Sequence, residues 1–500
     1  MITIRLKNGF INLTGDCPNF PWLTEHGSNK YFLPSEYTRK LFLRDFYPIK
    51  DRLDIDKETL DYIRNIDLTN KIASQNPLAT LEGITYLGYQ EEAIKRALTH
   101  KNYCLFFGPG TGKTIMAIGF LKTEDLRKAL IITPKKVIGQ YRVECNKFIP
   151  DFDITILNYE QIESNPHQVM TDWDAIIVDE SHRVKEYTSN TSHNLRIIAQ
   201  KAKRVLLFTG TPQDKGRADL LAQFSIFNKG FMPSKSKTLR RFFELDEYFK
   251  PTTLEKQPEE LTSLILSVSW GATTDSVLKL PKKIDTLIRC PMLPEQRELY
   301  DELMKESICI WDDGTVLLCD TPGAKLVRLR QICNGGLGFT PHNDQTKRVT
   351  KTFPSGKEVE LEALTSDMSS AIIYTQFDLD ITVVTRVLDK NERSYVVVNG
   401  KTVNSDPLID EFKSGKVDFL VIQAQSGNAG LDLSNTNNII FYSLPSSYIV
   451  FEQCQFRIRR IGQEKDCNYY YLITDKSVEG RMLKILSTKK HISAKTFGLW

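Results

Sequence analysis

The sequence predicts an α/β protein with two parallel-sheet domains in tandem, a mainly helical region between them and a small α+β module at the N-terminus. Apolar, β-rich runs alternate with helical segments from about residue 87 to 229, and again from about residue 370 to the end. The runs end in polar or glycine-containing loops, which is typical of parallel strands buried on both faces. About 140 residues of mainly helical, charged sequence separate the two blocks.

Changes in this pattern divide the 500 residues into four predicted segments. We expect an N-terminal α+β accessory module at 1–75 and a first sheet domain at 76–230. A helical insertion would follow at 231–365, and the second sheet domain would occupy 366–500. Four segments agree with the size of ordinary domains.

The N-terminal module begins with a predicted β-hairpin over residues 2–14. ITIRLK and FINLT each alternate apolar and polar side chains, and Asn8-Gly9 between them is a favoured two-residue turn. An aromatic-rich stretch and a helix from about Lys57 to Ile66 follow. The aromatic side chains could stack on bases, but forming the module's own core is the simpler interpretation.

Composition places the protein inside a cell and excludes several classes. No run approaches the roughly 20 apolar residues that span a bilayer, and the N-terminus does not resemble a signal peptide. The nine cysteines are scattered without a Cys-x-x-Cys pair, so reduced thiols are expected rather than a zinc or iron–sulfur site. The net charge of +4 leaves the partner open.

The predicted strands can be read directly from the two blocks. They are KALIITP, ITILNYEQI, WDAIIVDES and KRVLLFTGTP in the first block, and SSAIIYTQF, RSYVVVNG, VDFLVIQAQSG, NNIIFYSLP and NYYYLIT in the second. Ligands of such sheets bind beyond the carboxyl ends of the strands, so the loops after these runs should converge.

The middle region contains two features of note. Thr340 to Leu364 has strand-like and turn-like pieces, including Pro354-Ser355-Gly356, and predicts a hairpin excursion. A basic cluster, made of Lys235, Lys237, Arg240 and Arg241, could contact duplex DNA or could be a solvated helix face.

A phosphate-binding loop is predicted at Leu105 to Thr114, LFFGPGTGKT. An apolar run ends abruptly in three glycines, which let backbone N–H groups turn toward an anion. Lys113 can reach the outer phosphates, and the Thr114 hydroxyl can bind the Mg²⁺ that accompanies a nucleotide. The loop therefore predicts an ATP site.

Asp179-Glu180 directly follows the apolar run Ala175 to Val178, at the same predicted sheet edge as the phosphate loop. A carboxylate there can hold Mg²⁺ through water, and its neighbour can orient or deprotonate the attacking water in phosphoryl transfer.

The order of these motifs resembles superfamily 2 helicases, and more narrowly the Swi/Snf-type DNA translocase branch. The motifs are Tyr89-Gln90, GPGTGKT at 108–114, LIITP at 130–134, DESHRVK at 179–185, TGTP at 209–212, LRQIC at 329–333, AGLDLS at 429–434 and QCQFRIRRIGQ at 453–463. The resemblance implies two RecA-like domains, and the compact chain resembles phage or bacterial enzymes that remodel forked and branched DNA.

The resemblance also implies roles at the nucleotide. Gln90 would read the adenine edge, Asp179 would bind Mg²⁺ through water, and Glu180 would be the catalytic base. Arg457 and Arg460, which share one face if their stretch is helical, would act as arginine fingers on the γ-phosphate. The remaining implied ATP contacts are Tyr89, Gly108, Pro109, Gly110, Thr111, Gly112, Lys113, Thr114 and Gln453.

A third group of residues would connect the nucleotide to nucleic acid. The resemblance assigns coupling to His182, Thr209, Thr211, Gly430 and Asp432. It places contacts to the nucleic-acid backbone at Pro134, Lys135, Asn158, Tyr159, Thr375, Gln376, Ser426 and Gly427. Contacts to phosphates would give affinity without reading sequence.

These observations predict an ATP- and Mg²⁺-dependent DNA motor that unwinds or branch-migrates forked DNA. We expect a monomer without a membrane partner, phage-encoded or bacterial, in the host cytoplasm. Three alternatives stay open: a duplex translocase that remodels protein–DNA complexes without strand separation, an RNA helicase, and a nucleic-acid-binding scaffold with an inactive motor.

Overall fold

The structure is a computed structural model that describes residues 2–7, 10–15, 24–26, 29–32, 53–56, 59, 77–213, 216–227, 235–310, 316–319, 321–341, 348–426 and 431–496. The chain divides into two units. The first unit is Met1–Val277 with Ser493–Trp500, and the second is Leu278–Ile492. Each unit is described by itself below.

The first unit begins with a five-stranded sheet. Its strands are β1 (Ile2–Lys7), β2 (Phe10–Gly15), β3 (Thr24–His26), β4 (Asn29–Phe32) and β5 (Leu53–Ile55), in the order β3-β4-β2-β1-β5. β1 and β2 pair antiparallel from Ile2 opposite Gly15 to Lys7 opposite Phe10, which confirms the strands of the predicted hairpin. Its turn residues Asn8 and Gly9, and all but one residue of the helix predicted over 57–66, lie outside the described residues.

The main sheet of the first unit has six strands, all parallel. They are β6 (Asn102–Phe107), β7 (Lys128–Ile132), β8 (Asp153–Leu157), β9 (Trp173–Asp179), β10 (Ala202–Phe208) and β13 (Ser269–Ala272). Between β10 and β13 in the chain, β11 (Phe243–Leu245) and β12 (Pro251–Glu255) form a separate antiparallel pair. Their order is β13-β6-β10-β9-β7-β8. Side chains on both faces are buried, as in Ala175 to Val178 of β9, which explains the unbroken apolar runs.

The helices of the first unit cover both faces of this sheet. Among the described residues, they are α1 (Gly88–Leu98), α2 (Lys113–Thr123), α3 (Ile138–Phe148), α4 (Tyr159–Ser164), α5 (Asn190–Ala199), α6 (Ala218–Phe224), α7 (Lys235–Phe242), α8 (Pro258–Val268) and α9 (Thr274–Val277). One expected strand is too long: the run ITILNYEQI ends its strand at Leu157. Asn158 then caps α4 by accepting a hydrogen bond from the Gln161 amide at 2.8 Å, so the rest of the run is helical.

The second unit contains another six-stranded parallel sheet. Its strands are β14 (Lys283–Cys290), β19 (Ala371–Thr375), β20 (Tyr395–Val398), β21 (Phe419–Gln423), β22 (Asn438–Phe441) and β23 (Cys467–Thr474), and its short antiparallel pairs are β15 (Ile308–Ile310) with β16 (Val316–Leu318) and β17 (Gly336–Phe339) with β18 (Val349–Thr352). The order of the large sheet is β14-β23-β22-β19-β21-β20. The α/β class with two parallel sheets is therefore confirmed.

In the described part of the second unit, the helices are α10 (Pro294–Glu306), α11 (Pro322–Cys333), α12 (Gly356–Asp367), α13 (Asp378–Lys390), α14 (Asp406–Lys413), α15 (Tyr448–Gln455) and α16 (Val478–Thr496), of which the last four residues are assigned to the first unit. Among the described residues, no helix combines the length and apolar character needed to cross a membrane.

The region predicted as a helical insertion contributes to both large sheets. β13 extends the sheet of the first unit and β14 forms an edge of the sheet in the second. A hairpin is present but begins before the segment 340–364 in which it was expected: Gly336–Phe339 pairs antiparallel with Val349–Thr352. Its expected second half was wrong, because Ser355 caps α12 by accepting a hydrogen bond from the Glu358 amide at 3.3 Å.

Candidate functional site

The predicted phosphate loop connects β6 to the N-terminus of α2. Gly112 has a φ of +81° in the left-handed region, and a Cβ atom on it would lie 2.5 Å from Nε2 of Gln90. A side chain at this position would therefore meet both backbone strain and a collision. The first N–H groups of α2 have no intrahelical acceptor, so the loop presents donors at the carboxyl end of β6.

Lys113 begins α2 and folds its side chain back over the loop. Its Nζ lies 3.3 Å from the Phe107 carbonyl oxygen and 3.4 Å from that of Gly108. The same ammonium is 3.9 Å from Oε1 of Glu180. The lysine ammonium thus contacts polar groups at the carboxyl ends of both β6 and β9.

Asp179 ends β9 and is buried. Its Oδ2 accepts a hydrogen bond from the Thr133 hydroxyl at 3.2 Å, and its Oδ1 accepts one from the Glu180 amide at 3.0 Å. The Tyr159 hydroxyl donates to its main-chain carbonyl. Burial raises the pKa of Asp179, and the adjacent Glu180 carboxylate raises it further.

Glu180 has a left-handed backbone conformation, with a φ of +54°. Its Oε2 accepts a hydrogen bond from the Thr209 hydroxyl at 3.2 Å and lies 3.2 Å from Nδ1 of His182. Burial alone would raise the pKa of this carboxyl. The Lys113 ammonium and the hydrogen bonds from His182 and Thr209 outweigh burial and lower it, so Glu180 is held as a carboxylate.

Thr209 connects the carboxylate to the loop after β10. Its hydroxyl lies 2.9 Å from Nδ1 of His182 and accepts a hydrogen bond from the Thr211 amide at 3.2 Å. The three predicted coupling residues of the first unit therefore form one connected group with Glu180. These contacts also hold Glu180 in its left-handed backbone conformation. Non-glycine residues with this conformation are frequent at functional sites, because surrounding contacts must hold them there.

The residues present fit a magnesium–nucleotide. Lys113 and the N-terminus of α2 supply positive charge, and the Thr114 hydroxyl and Asp179 carboxylate are the oxygen ligands that Mg²⁺ prefers. The hydroxyl of Tyr141, on α3, is completely buried beside Thr114 and Asp179 with no well-formed hydrogen bond of its own. This polar atom lies beside the same carboxylate and was not identified from the sequence.

Tyr89 and Gln90, on α1, hold the phosphate loop. The Tyr89 hydroxyl donates to the Thr111 carbonyl at 2.8 Å, and Nε2 of Gln90 donates to the same oxygen at 3.0 Å. Oε1 of Gln90 accepts from the Leu87 amide at 3.0 Å. Both ends of this amide are engaged within the protein, so its role at an adenine stays a prediction.

In the second unit, Arg457 and Arg460 point to one acceptor. Nη1 of each donates to the Leu431 carbonyl, at 3.2 Å and 3.0 Å, and Nε of Arg460 lies 3.7 Å from Oδ2 of Asp432. The stretch is not helical, so the condition for a shared helix face is not met: α15 ends at Gln455, Arg457 lies in a turn and Arg460 in a bend. Gln453 is half-buried on α15.

The predicted nucleic-acid contacts differ in accessibility. Lys135 is exposed and Pro134 is half-buried after β7. Asn158 and Tyr159 are buried and use their side chains to cap α4 and to bind the Asp179 carbonyl. For these two residues, the side chains serve the fold of the first unit.

The corresponding loops of the second unit follow β19 and β21. Thr375 is buried, and its hydroxyl donates to the Ile422 carbonyl at 3.4 Å. Gln376 and Ser426 are half-buried. Gly427 and Gly430 lie outside the described residues.

All four residues of the basic cluster lie on α7. Arg240 is exposed, and its guanidinium lies 5.8 Å from the ring centre of Phe249, which is also exposed. The side chains of Lys235 and Lys237 lie outside the described residues. A contact of this cluster with duplex DNA stays a prediction.

Family comparison now adds to this geometry. Residues 145–336 match the SNF2-related domain, and residues 356–462 match the helicase conserved C-terminal domain. The two matches together span more than half of the chain. This is an SNF2-related superfamily 2 protein with a helicase C-terminal domain. The first match includes Asp179 and Glu180, and the second includes both arginines, whereas the phosphate loop precedes the first match.

Curated relatives of this SNF2-related protein include bacterial and eukaryotic chains. It is 24% identical over 489 residues to YwqA of Bacillus subtilis (strain 168), a candidate ATP-dependent helicase/translocase, covering 88% of this chain and 52% of that protein. It is 25% identical over 458 residues to the uncharacterised ATP-dependent helicase YqhH of the same organism, covering 84% and 80%. The chain thus spans about half the length of YwqA.

Among solved structures, the chain is similar to the Sulfolobus solfataricus SWI2/SNF2 ATPase core in complex with dsDNA. The sequence identity is 20%, the TM-score is 0.39, and the alignment covers 85% of this chain and 95% of that chain.

Sequence reasoning missed Thr133 and Tyr141, which both lie at the Asp179 carboxylate. Thr133 has a visible signal, because it is the polar residue that ends the apolar run of β7 immediately before Pro134. Tyr141 has none, since it lies in a helix whose other residues give no pattern specific to a site.

Proposed function

We propose that this SNF2-related protein hydrolyses ATP to move along DNA, and that it unwinds or branch-migrates forked DNA. The proposed ATPase activity rests on one observation: a group of polar residues meets at one edge of the first large sheet. These residues are Lys113, Asp179, Glu180, His182 and Thr209. The group joins a cation for phosphates, a carboxylate suited to Mg²⁺ and a second carboxylate kept ionised. Bound Mg²⁺ would neutralise charge on the phosphates and orient them.

The contacts of Lys113 suggest how the base becomes active. With the ammonium 3.9 Å away, Glu180 is a weak base because its charged form is stabilised. When Lys113 turns to the phosphates, that stabilisation falls and the carboxylate accepts a proton from water more readily. His182 and Thr209 hold the Glu180 carboxylate in position. In this proposal, Arg457 and Arg460 supply positive charge to the transferring phosphoryl group.

Support for DNA as the track comes from the family and from the loops. The matched domains and the names of bacterial relatives point to helicases and translocases. Lys135 is exposed at the carboxyl edge of the first large sheet, where a phosphate backbone could bind. We further propose that the protein is a monomer from a bacterium or a phage and that it works in the cytoplasm of the bacterial host cell.

The decisive experiment compares ATPase stimulation by single-stranded, duplex, forked and four-way DNA, together with strand displacement from the forked substrate. We expect the greatest stimulation with forked or four-way DNA, and ATP-dependent displacement of the labelled strand. ATPase activity that no DNA stimulates would refute the motor. A strict preference for RNA would instead identify an RNA helicase.

Duplex translocation without strand separation is the second candidate, because YwqA is described as a candidate helicase/translocase. Displacement of a triplex-forming strand from a blunt duplex, without unwinding of a fork, would select it.

We also propose that residues 1–75 bind duplex or junction DNA. Deleting this segment should leave the ATPase without DNA intact but reduce discrimination between forked and linear DNA. Unchanged discrimination would contradict this role.

A further inference from the structure

Five buried polar side chains in the second unit form a continuous hydrogen-bonded cluster. They come from α12, α13, α16 and two loops, and each of the five residues, taken whole, is no more than 1% exposed. The members of this buried polar cluster are Asn334, Lys357, Asp380, Ser443 and Glu479. None belongs to the nucleotide site described above.

Lys357 is the charged centre of the buried polar cluster. Its Nζ lies 2.7 Å from Oε1 of Glu479, 2.9 Å from Oδ1 of Asn334 and 2.7 Å from the Tyr442 carbonyl oxygen. Each of the three ammonium protons therefore has an acceptor. The second carboxylate oxygen of Glu479 accepts from the Thr474 amide at 3.0 Å, so the pair is fully hydrogen-bonded.

Lys357 fixes the orientation of the Asn334 amide. Because the ammonium can only donate, the oxygen of the amide must face it, and the amide nitrogen must point away. That nitrogen donates to Oδ1 of Asp380 at 2.9 Å. A reversed amide would place NH₂ against NH₃⁺ and lose both hydrogen bonds.

Asp380 carries this arrangement to a loop. Its Oδ2 accepts hydrogen bonds from the main-chain amides of Gln376 and Phe377, both at 3.0 Å, and from the Ser443 hydroxyl at 2.6 Å. The first two donors lie in the loop after β19, and Ser443 lies in the loop after β22. One carboxylate thus fixes two loops at the carboxyl edge of the second large sheet.

Stability alone does not account for such a cluster. Burying an ammonium and two carboxylates costs desolvation energy, and a well-packed apolar replacement of a buried ion pair is often as stable or more so. What the polar groups provide, and apolar groups do not, is a direction for each hydrogen bond. The series of directed hydrogen bonds ends at the main-chain amide of Gln376.

We infer that Asn334 and Lys357 are positioning residues that set, through Asp380, the backbone of the loop Thr375–Phe377 for binding DNA. This inference rests on the proposed function, because that loop is its proposed contact with nucleic acid. The residues act without touching DNA themselves. Their loss should therefore weaken DNA binding while the ATPase without DNA persists.

An exchange of the two middle residues provides the test. Asn334→Asp places two carboxylates against each other, and Asp380→Asn places two NH₂ groups against each other or turns one toward the loop amides. Either single change breaks the hydrogen bond between residues 334 and 380, through which Lys357 is connected to the loop at Gln376 and Phe377. The double variant Asn334→Asp/Asp380→Asn restores every hydrogen bond, because donor and acceptor simply change sides.

The measurement is the DNA concentration that half-saturates ATPase stimulation, with forked DNA as the probe. Each single variant should raise it about tenfold or more, the ratio that corresponds to 1.4 kcal/mol, and the double variant should return close to the unaltered protein. ATPase activity without DNA should be unchanged in all three. Ile409→Ala, which removes buried side-chain volume from α14, serves as the control for lower stability alone.

Three results would overturn the inference. The first is an unchanged half-saturating concentration in the single variants, and the second is a double variant that recovers thermal stability without recovering DNA affinity. The third is an equal rise in Ile409→Ala at an equal loss of Tm. If the unaltered protein hydrolyses ATP but is not stimulated by DNA, the proposed function fails and this inference fails with it.

Discussion

Replacing Glu180 with glutamine keeps the shape of the side chain and removes its charge. Its Oε1 lies 3.9 Å from Nζ of Lys113, and the two side chains are 22% and 12% exposed. At an effective dielectric constant of about 20, two unit charges at this separation interact by about 4 kcal/mol, which is an upper bound for the attraction lost. The freed ammonium then faces the phosphates without a competing carboxylate.

We therefore expect Glu180→Gln to lower kcat for ATP by about 10² to 10⁴, the usual contribution of a general base, without raising KM. Steady-state ATPase assays at saturating DNA would measure both. The matched control is Glu124→Gln, because Glu124 is similarly exposed at 26% and also pairs with a cation, Arg204, but lies away from the loop. Hydrolysis by Glu180→Gln within about tenfold of the unaltered rate would refute the assigned base.

Three further predictions concern the contacts that hold these residues. Gly112→Ala should cost about 1–2 kcal/mol and raise KM for ATP, because of the φ of +81° and the collision with Gln90; an unchanged KM would contradict this. Tyr159→Phe should lower the free energy of unfolding in urea by about 1–3 kcal/mol, since a buried carbonyl loses its donor; unchanged stability would contradict it. Lys357→Met should cost about 3–5 kcal/mol in the same assay, because the Glu479 carboxylate stays buried without a counter-charge, and the double change Lys357→Met/Glu479→Met should recover most of the loss.

The nucleotide site could be predicted because its residues follow directly from strand ends. Parallel strands buried on both faces give unbroken apolar runs, and the polar residues that end those runs meet at one edge of the sheet. Asp179, Glu180 and Thr209 follow this rule, and Lys113 begins the helix after the loop that follows β6. These residues lie close together because β6, β10 and β9 are neighbours in the sheet, so only the order of the strands was needed to predict their proximity.

The same rule fails where a polar residue at a strand end turns inward. Asn158 and Tyr159 follow β8 as expected, but Asn158 caps α4 and Tyr159 reaches the Asp179 carbonyl. The capping signature, an asparagine followed three residues later by Gln161, was present in the sequence and favoured this outcome. For these residues, local helix capping took precedence over a role that position alone suggested.

The middle region could not be predicted from local pattern, because its strands derive their stability from distant partners. Ser269–Ala272 pairs with the phosphate-loop strand, and Gly271 is packed so closely that an added Cβ would lie 2.2 Å from the Phe106 carbonyl oxygen. Four residues with one serine and one glycine carry little intrinsic preference for a strand. Their conformation follows from the open edge that β6 presents.

Lys357 was missed for a different reason, which also bears on its role. It is the second residue of α12, where the N-terminal end of the helix dipole disfavours a positive charge, and it is completely buried, which disfavours the charge again. Both effects predict an exposed lysine or a different residue at this position. Three acceptors at 2.7–2.9 Å offset these costs, and an apolar residue would incur neither cost. The lysine is therefore best explained by the orientation that it imposes on Asn334, and through Asp380 on the loop at Gln376.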